Sequence, residues 1–146
     1  MLRSRILLTA LAFAALTAIG SAAPAPTIVT PETAKWGPAP GFAGWEMAPV
    51  VGDPSIAGAY YAYLLKVPDG GKAMPHEHGS AETVVVISGT LMVGLGDTMD
   101  TAKMMPLGVG SVVSVPAGVH HYAMAKGPTV IEISGIGPDS TTMLHP

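Results

Sequence analysis

Residues 70–89 read GGKAMPHEHGSAETVVVISG, with Gly70 and Gly89 enclosing His76, His78 and Glu82. On extended backbone, side chains two positions apart point to the same side of a strand. His76 and His78 therefore share a face and Glu77 takes the other. Glu82, after a short turn at Gly79-Ser80, can enter the same space from the next strand. Two imidazoles and a carboxylate on one face suit a borderline divalent metal such as Fe(II), Mn, Ni, Cu or Zn. A further imidazole, His121, lies downstream in VPAGVHHYA.

These residues resemble the two motifs of the cupin family. The first motif is Gly, five residues, His-x-His, three or four residues, Glu, six residues, Gly. Gly70, His76, His78, Glu82 and Gly89 fill every position. The second is Gly, five residues, Pro-x-Gly, two residues, His, three residues, Asn. Gly110, Pro116, Gly118 and His121 match it, and Ala125 stands where the Asn would be. The resemblance implies a metal held by His76, His78, Glu82 and His121. It also implies a single double-stranded β-helix, a jelly-roll barrel. Many one-domain cupins cleave carbon–carbon bonds in enolic or phenolic compounds. The expected metal on that ground is Fe(II), with Mn, Zn, Ni or Cu as alternatives.

The rest of the sequence agrees with an all-β domain. Runs of β type recur at Ala59–Lys66, Ala73–His78, Glu82–Ser88, Thr90–Leu95, Ser111–Val115, Val119–Ala125 and Pro128–Ser134. Turn residues punctuate them, among them Gly52-Asp53-Pro54, Asp69-Gly70-Gly71, Ser88-Gly89 and Lys126-Gly127-Pro128. Such even spacing indicates a sandwich or barrel, and no later stretch sustains a helical period. Thr83-Val84-Val85-Val86-Ile87 is apolar on both faces, so both are expected to be covered, by the N-terminal arm or by a second subunit in a homodimer.

Upstream, residues 1–22 have the order of a secretory signal peptide: Arg3 and Arg5, an apolar run from Ile6 to Ile19, then small residues. The run is shorter than the roughly 20 residues of a membrane span. Export to the periplasm or medium follows as the expectation, with no membrane attachment after cleavage. Residues 23–46, rich in Pro and Gly with Trp36, Phe42 and Trp45, read as an irregular arm whose aromatics cover a barrel face. Thr30-Pro31-Glu32 can open one helical turn within it. Residues 47–146 form the barrel domain.

Charge narrows the ligand. Cleavage would remove both arginines, leaving five lysines against ten acidic residues, a net charge of −5. Nucleic acid is a poor partner for such a chain. Without a guanidinium there is no two-point fork for a carboxylate or phosphate. Lys66 and Lys72 lie nearest the first motif, but Lys66 is expected to face away from Tyr61 and Tyr63, and Lys72 sits at a turn. A neutral small molecule is therefore the expected substrate or ligand.

Other groups get plainer readings. His120 should face away from His121, with Tyr122 on its side, and His145 lies near the C-terminus. Asp97 and Asp100 read as turn residues. Tyr61 and Tyr63 read as core or barrel mouth. The nine methionines read as flexible packing, with Cu(I) recruitment as the minor alternative. No cysteine is present and no nucleophilic serine arrangement appears, so no catalytic residue beyond the metal set is named. Three functions follow: an exported Fe(II)-type dioxygenase for a neutral enol or phenol, a metal-dependent isomerase or lyase, or a non-catalytic binding or sensing module.

Overall fold

Among the described residues eleven strands alternate with tight turns, seven of them at the β-type runs of the sequence. The computed structural model describes residues 25–30 and 32–144. The leader expected at 1–22 lies outside them, as do Pro31 and His145. The strands are β1 Gly37–Pro38, β2 Glu46–Val51, β3 Tyr60–Val67, β4 Lys72–His78, β5 Glu82–Ser88, β6 Leu91–Leu95, β7 Met105–Leu107, β8 Val112–Val115, β9 His121–Ala125, β10 Thr129–Ile136 and β11 Thr141–Met143. A short 3-10 turn, Thr101–Lys103, precedes β7. Asp100 caps it, accepting from the Ala102 backbone N–H at 3.0 Å. Among the described residues no helix is long and apolar enough to cross a membrane.

Two antiparallel sheets face one another. One runs β1-β2-β3-β10-β5-β8, the other β11-β4-β9-β6-β7. This is the double-sheet jelly roll expected from the sequence. Alternation along the strands sends Leu65, Val84, Val86, Ile131 and Ile133 inward from the first sheet. They meet Ala73, Leu91 and Ala125 from the second. The second sheet gives the core mainly small side chains at β4 and β9, and that leaves space between the layers.

Gly89 shows why a glycine closes the first motif. It turns the chain from β5 into β6 with φ +81°, and a Cβ there would strike the Pro128 carbonyl and Thr129. Both the backbone conformation and the close approach demand a residue without a side chain.

Several expectations change. The N-terminal arm is not wholly irregular, because β1 pairs with β2, joining Gly37 to Met47 and Pro38 to Glu46. Thr33 and Ala34 N–H groups both bond the Thr30 carbonyl, so one turn does form there. The arm does not cover the second face of β5. Val84 and Val86 are buried, Thr83 and Val85 half-buried, and Ile87 is 49% exposed. The arm instead lies beside β2 and β3, where Trp36 stacks under the Lys66 ammonium at 3.9 Å. Tyr122 faces outward as its parity requires, yet it is only 1% exposed. The loop before β7 covers it, and its hydroxyl donates to the Asp100 carbonyl at 3.3 Å. Strands β1, β7 and β11 are too short to leave an alternating pattern, and they and β2 are not among the runs read from the sequence.

Candidate metal centre

The histidines converge because of an irregularity in β4. The β4–β9 register shifts between Ala73 and His76. An extra residue in one strand resets which side chains face in. Ala73 and His76 therefore both reach the interior although their parities differ, and Met74 is turned out to solvent. From His76 the alternation is regular, so His78 follows it inward. His121, opening β9, stands directly across from His76 in the ladder.

His76, His78 and His121 are all buried, and one ring nitrogen from each lies within 4.8 Å of the others. The rings are packed together, with centroids 4.2 Å apart for His76–His121 and 5.0 Å for His76–His78. Their outer nitrogens are engaged. Nδ1 of His76 meets the Met74 carbonyl at 2.6 Å and Nδ1 of His121 the Val119 carbonyl at 3.0 Å. A carbonyl can only accept, so each Nδ1 carries a hydrogen and Nε2 is the nitrogen turned to the interior. Nδ1 of His78 has Thr141 Oγ1 at 3.3 Å and Asp139 Oδ1 at 3.4 Å.

Glu82 enters from β5, which belongs to the facing sheet. Its Oε1 lies 3.3 Å from Nε2 of His78 and 3.7 Å from Nε2 of His121. Its Oε2 is buried with no hydrogen-bond partner. Burial pushes this carboxyl up, but the imidazoles of His121 and His78 beside it outweigh burial and hold it at about 2. Burial opposes charge on His78 too, yet Asp139 and Glu82 on its two sides raise it to about 9. Burial first, and then the neighbouring imidazoles, lowers His76 despite its bond to Met74. Three imidazoles able to present Nε2, with an orphaned carboxylate oxygen beside them, form a donor set that fits a divalent metal.

The cluster borders a cavity of about 80 Å³ between the sheets. One water needs roughly 10–15 Å³ on this measure, so the space exceeds a single solvent site. Leu65, Val84, Ile131 and Ile133 line one side; Ala73, Leu91, Val93 and Ala123 line the other. Phe42 and Trp45, stacked at 4.7 Å, supply further wall from the N-terminal arm. Outside the cluster, the hydrogen-bonding side chains on the wall are Tyr63, Thr141 and the Trp45 indole. Among the described residues no lysine borders the cavity. Lys66 faces away as expected, paired with Glu46 at 3.3 Å, and Lys72 is exposed.

His120 also lies where parity puts it, outside the cluster. It sits between two carboxylates, with Asp97 Oδ1 at 2.6 Å and Glu77 Oε2 at 3.5 Å. The Asp97 hydrogen bond is the main reason its pKa is raised. Asp97 is thus more than a turn residue. Asp139 and Thr141 were not anticipated at all. They sit in GPDST, whose Gly-Pro-Asp run looks like an ordinary turn, and their partners lie 76 and 63 residues away.

Comparison with known proteins agrees with the architecture. The cupin domain family model matches residues 63–133. The polyketide cyclase RemF from Streptomyces resistomycificus is 19% identical, with a TM-score of 0.62 over 83% of this chain and 88% of that one. KdgF from Halomonas sp. is 20% identical, with a TM-score of 0.60 over 77% and 96%. An RmlC-like cupin from Shewanella frigidimarina is 16% identical, with a TM-score of 0.59 over 75% and 89%. At such identities the likeness is one of fold. No curated protein matches the chain. Taken with the jelly roll and the three facing histidines, the match at residues 63–133 makes this chain a small cupin-domain protein.

Proposed function

We propose that this chain is an exported, metal-dependent cupin that acts on a small neutral enol or phenol. His76, His78, His121 and Glu82 would hold the metal. The observation that carries the reading is the pairing of a buried three-histidine cluster with an apolar cavity that no lysine borders. A divalent cation there supplies Lewis acidity, and Fe(II) adds access to dioxygen.

The chain's own residues set what can enter. Walls of Leu, Val, Ile and Ala exclude water and favour a hydrocarbon body. Tyr63 and Thr141 offer hydroxyls to a ligand's oxygen atoms near the cluster. An anion would meet the Glu82 carboxylate and no lysine on the cavity wall, and the mature net charge of −5 opposes its approach. The leader-like order of residues 1–22 supports export.

The test loads purified protein with Fe(II), Mn, Cu or Zn. Matched panels of neutral phenols and diketones and of dicarboxylates are then screened by thermal shift and oxygen uptake. The expected result is stabilisation or turnover with the neutral panel. Oxalate, malonate or a uronate as the best ligand would sink the charge argument. Stabilisation by neutral ligands without turnover under any metal would leave a binding module instead of an enzyme.

A further inference from the structure

Two of the three clustered rings are oriented by their own strands, and one is not. His76 and His121 each give Nδ1 to the carbonyl two residues earlier, a contact that comes with the local backbone. His78 has no such carbonyl. Its Nδ1 faces Asp139 and Thr141, both in the segment that follows β10.

We infer that Asp139 is a positioning residue for the metal centre, fixing the ring of His78 through Nδ1 so that Nε2 faces the other ligands. The inference rests on the metal reading proposed above. Asp139 approaches from the Nδ1 side, while Glu82 and the cluster lie on the Nε2 side. An imidazole carries these nitrogens on diverging edges, so Asp139 does not share the ion with Nε2. It acts through His78.

Asp139 is itself built into place. Its backbone N–H donates to the Pro54 carbonyl at 2.7 Å. Its Oδ2 accepts from the Tyr63 hydroxyl at 3.3 Å. Its side chain is only 12% exposed. Among the described residues Oδ1 has no hydrogen-bond partner, and it lies 3.4 Å from Nδ1 of His78. A carboxylate oxygen left in that state is costly unless a hydrogen faces it, and Nδ1 of His78 is placed to give one. Segment 137–143 is tied to the same ligand strand by the ladder, which pairs Thr141 with His78 and Met143 with His76. A carboxylate behind a ligating imidazole fixes its tautomer and increases its basicity, and losing such a partner typically costs about 10–100-fold in metal affinity.

The experiment uses the full chain, stripped by chelator, as wild type, Asp139→Asn, Asp139→Ala and Thr141→Val. Zn(II) affinity is measured by competition with a chromophoric chelator, and the Cu(II)-loaded proteins are compared by electron paramagnetic resonance. Asn keeps the size and an acceptor atom but loses the charge. The expected result is one tight site in wild type, affinity lowered about 10–100-fold in Asp139→Asn and Asp139→Ala, and an altered Cu(II) spectrum in both. Thr141→Val removes the other neighbour of Nδ1 and should cost less affinity than either Asp139 substitution. Wild-type affinity and spectrum in the two Asp139 variants would overturn the inference alone. Loss in Asp139→Ala with an unchanged Asp139→Asn would also overturn it, since packing would then explain the effect. A wild type that binds no cation would bring down the metal reading and this inference with it.

Discussion

Oε1 of Glu82 lies 3.3 Å from Nε2 of His78, joining the two sheets through one buried ion pair. The pair sets a pH dependence for the metal-free protein. His78 is raised from 6.5 to about 9, so its contribution to stability is complete below pH 6.5 and fades as pH rises through 9. Glu82 is lowered from 4.5 to about 2, so its contribution is complete above pH 4.5 and fades as pH falls towards 2. Urea denaturation of chelator-treated protein should show a plateau between pH 4.5 and 6.5, with losses on both sides. His78→Gln should flatten the alkaline limb. An unchanged alkaline limb would mean that His78 holds no extra proton.

The same proton competes with a cation. Near pH 7 the metal must displace it from His78, so binding should release about one proton to the buffer. From pH 9 down to about pH 7, apparent affinity should fall about tenfold per unit through this group. Calorimetry in buffers of different ionisation enthalpy counts the protons. Zero release at pH 7 would contradict the assignment.

Single alanine substitutions should separate the ligands from their neighbour. His76→Ala and His121→Ala each remove an Nε2 from the cluster and should lower bound metal strongly. His120→Ala removes only a contact to Asp97 and Glu77 outside it, and should leave metal content unchanged. Elemental analysis of the three proteins decides this, and equal metal in all would remove the ligand set.

Gly94 lies against the ring of Tyr122, and a Cβ there would run into it. Overpacking of this kind typically costs about 1–3 kcal/mol. Gly94→Ala should lower Tm by several degrees, whereas Gly108→Ala, with nothing within 4 Å of the new methyl, should be close to neutral. Equal Tm values for the two would show that the Tyr122 loop yields without cost.

Ala123 lines the cavity on the side opposite Ile131 and Ile133. Ala123→Leu should fill part of that space and abolish binding of the best neutral ligand while metal stays bound. Thermal shift with and without ligand, alongside metal content, tests it. Retained ligand stabilisation would place the ligand elsewhere.

Much of this molecule was legible because its signals are local. Motif spacing placed His76, His78, Glu82 and His121, and strand parity sent His120 and Lys66 outward. The β4 irregularity shows where alternation alone falls short. Strict parity from Ala73 would have turned His76 out, and only the register shift reconciles the two. Asp139 escaped detection because its meaning depends on Tyr63 and His78, far away in sequence and brought near only by the closing of the barrel. Ile87, 49% exposed, shows that the cover expected over the outer face of β5 is not supplied by the described part of the arm.

The family match ends at residue 133, and Asp139 lies beyond it, as Phe42 and Trp45 lie before its start at 63. All four residues proposed as ligands fall inside that span, while the carboxylate behind His78 and the aromatic wall fall outside. The proposed centre thus draws on residues inside the matched span and on residues outside it. On the proposed reading the matched span would supply the ligands, and the segments at its two ends would set how firmly a cation is kept and which guests reach it. A protein trimmed to residues 63–133 would retain every proposed ligand and still be a different reagent.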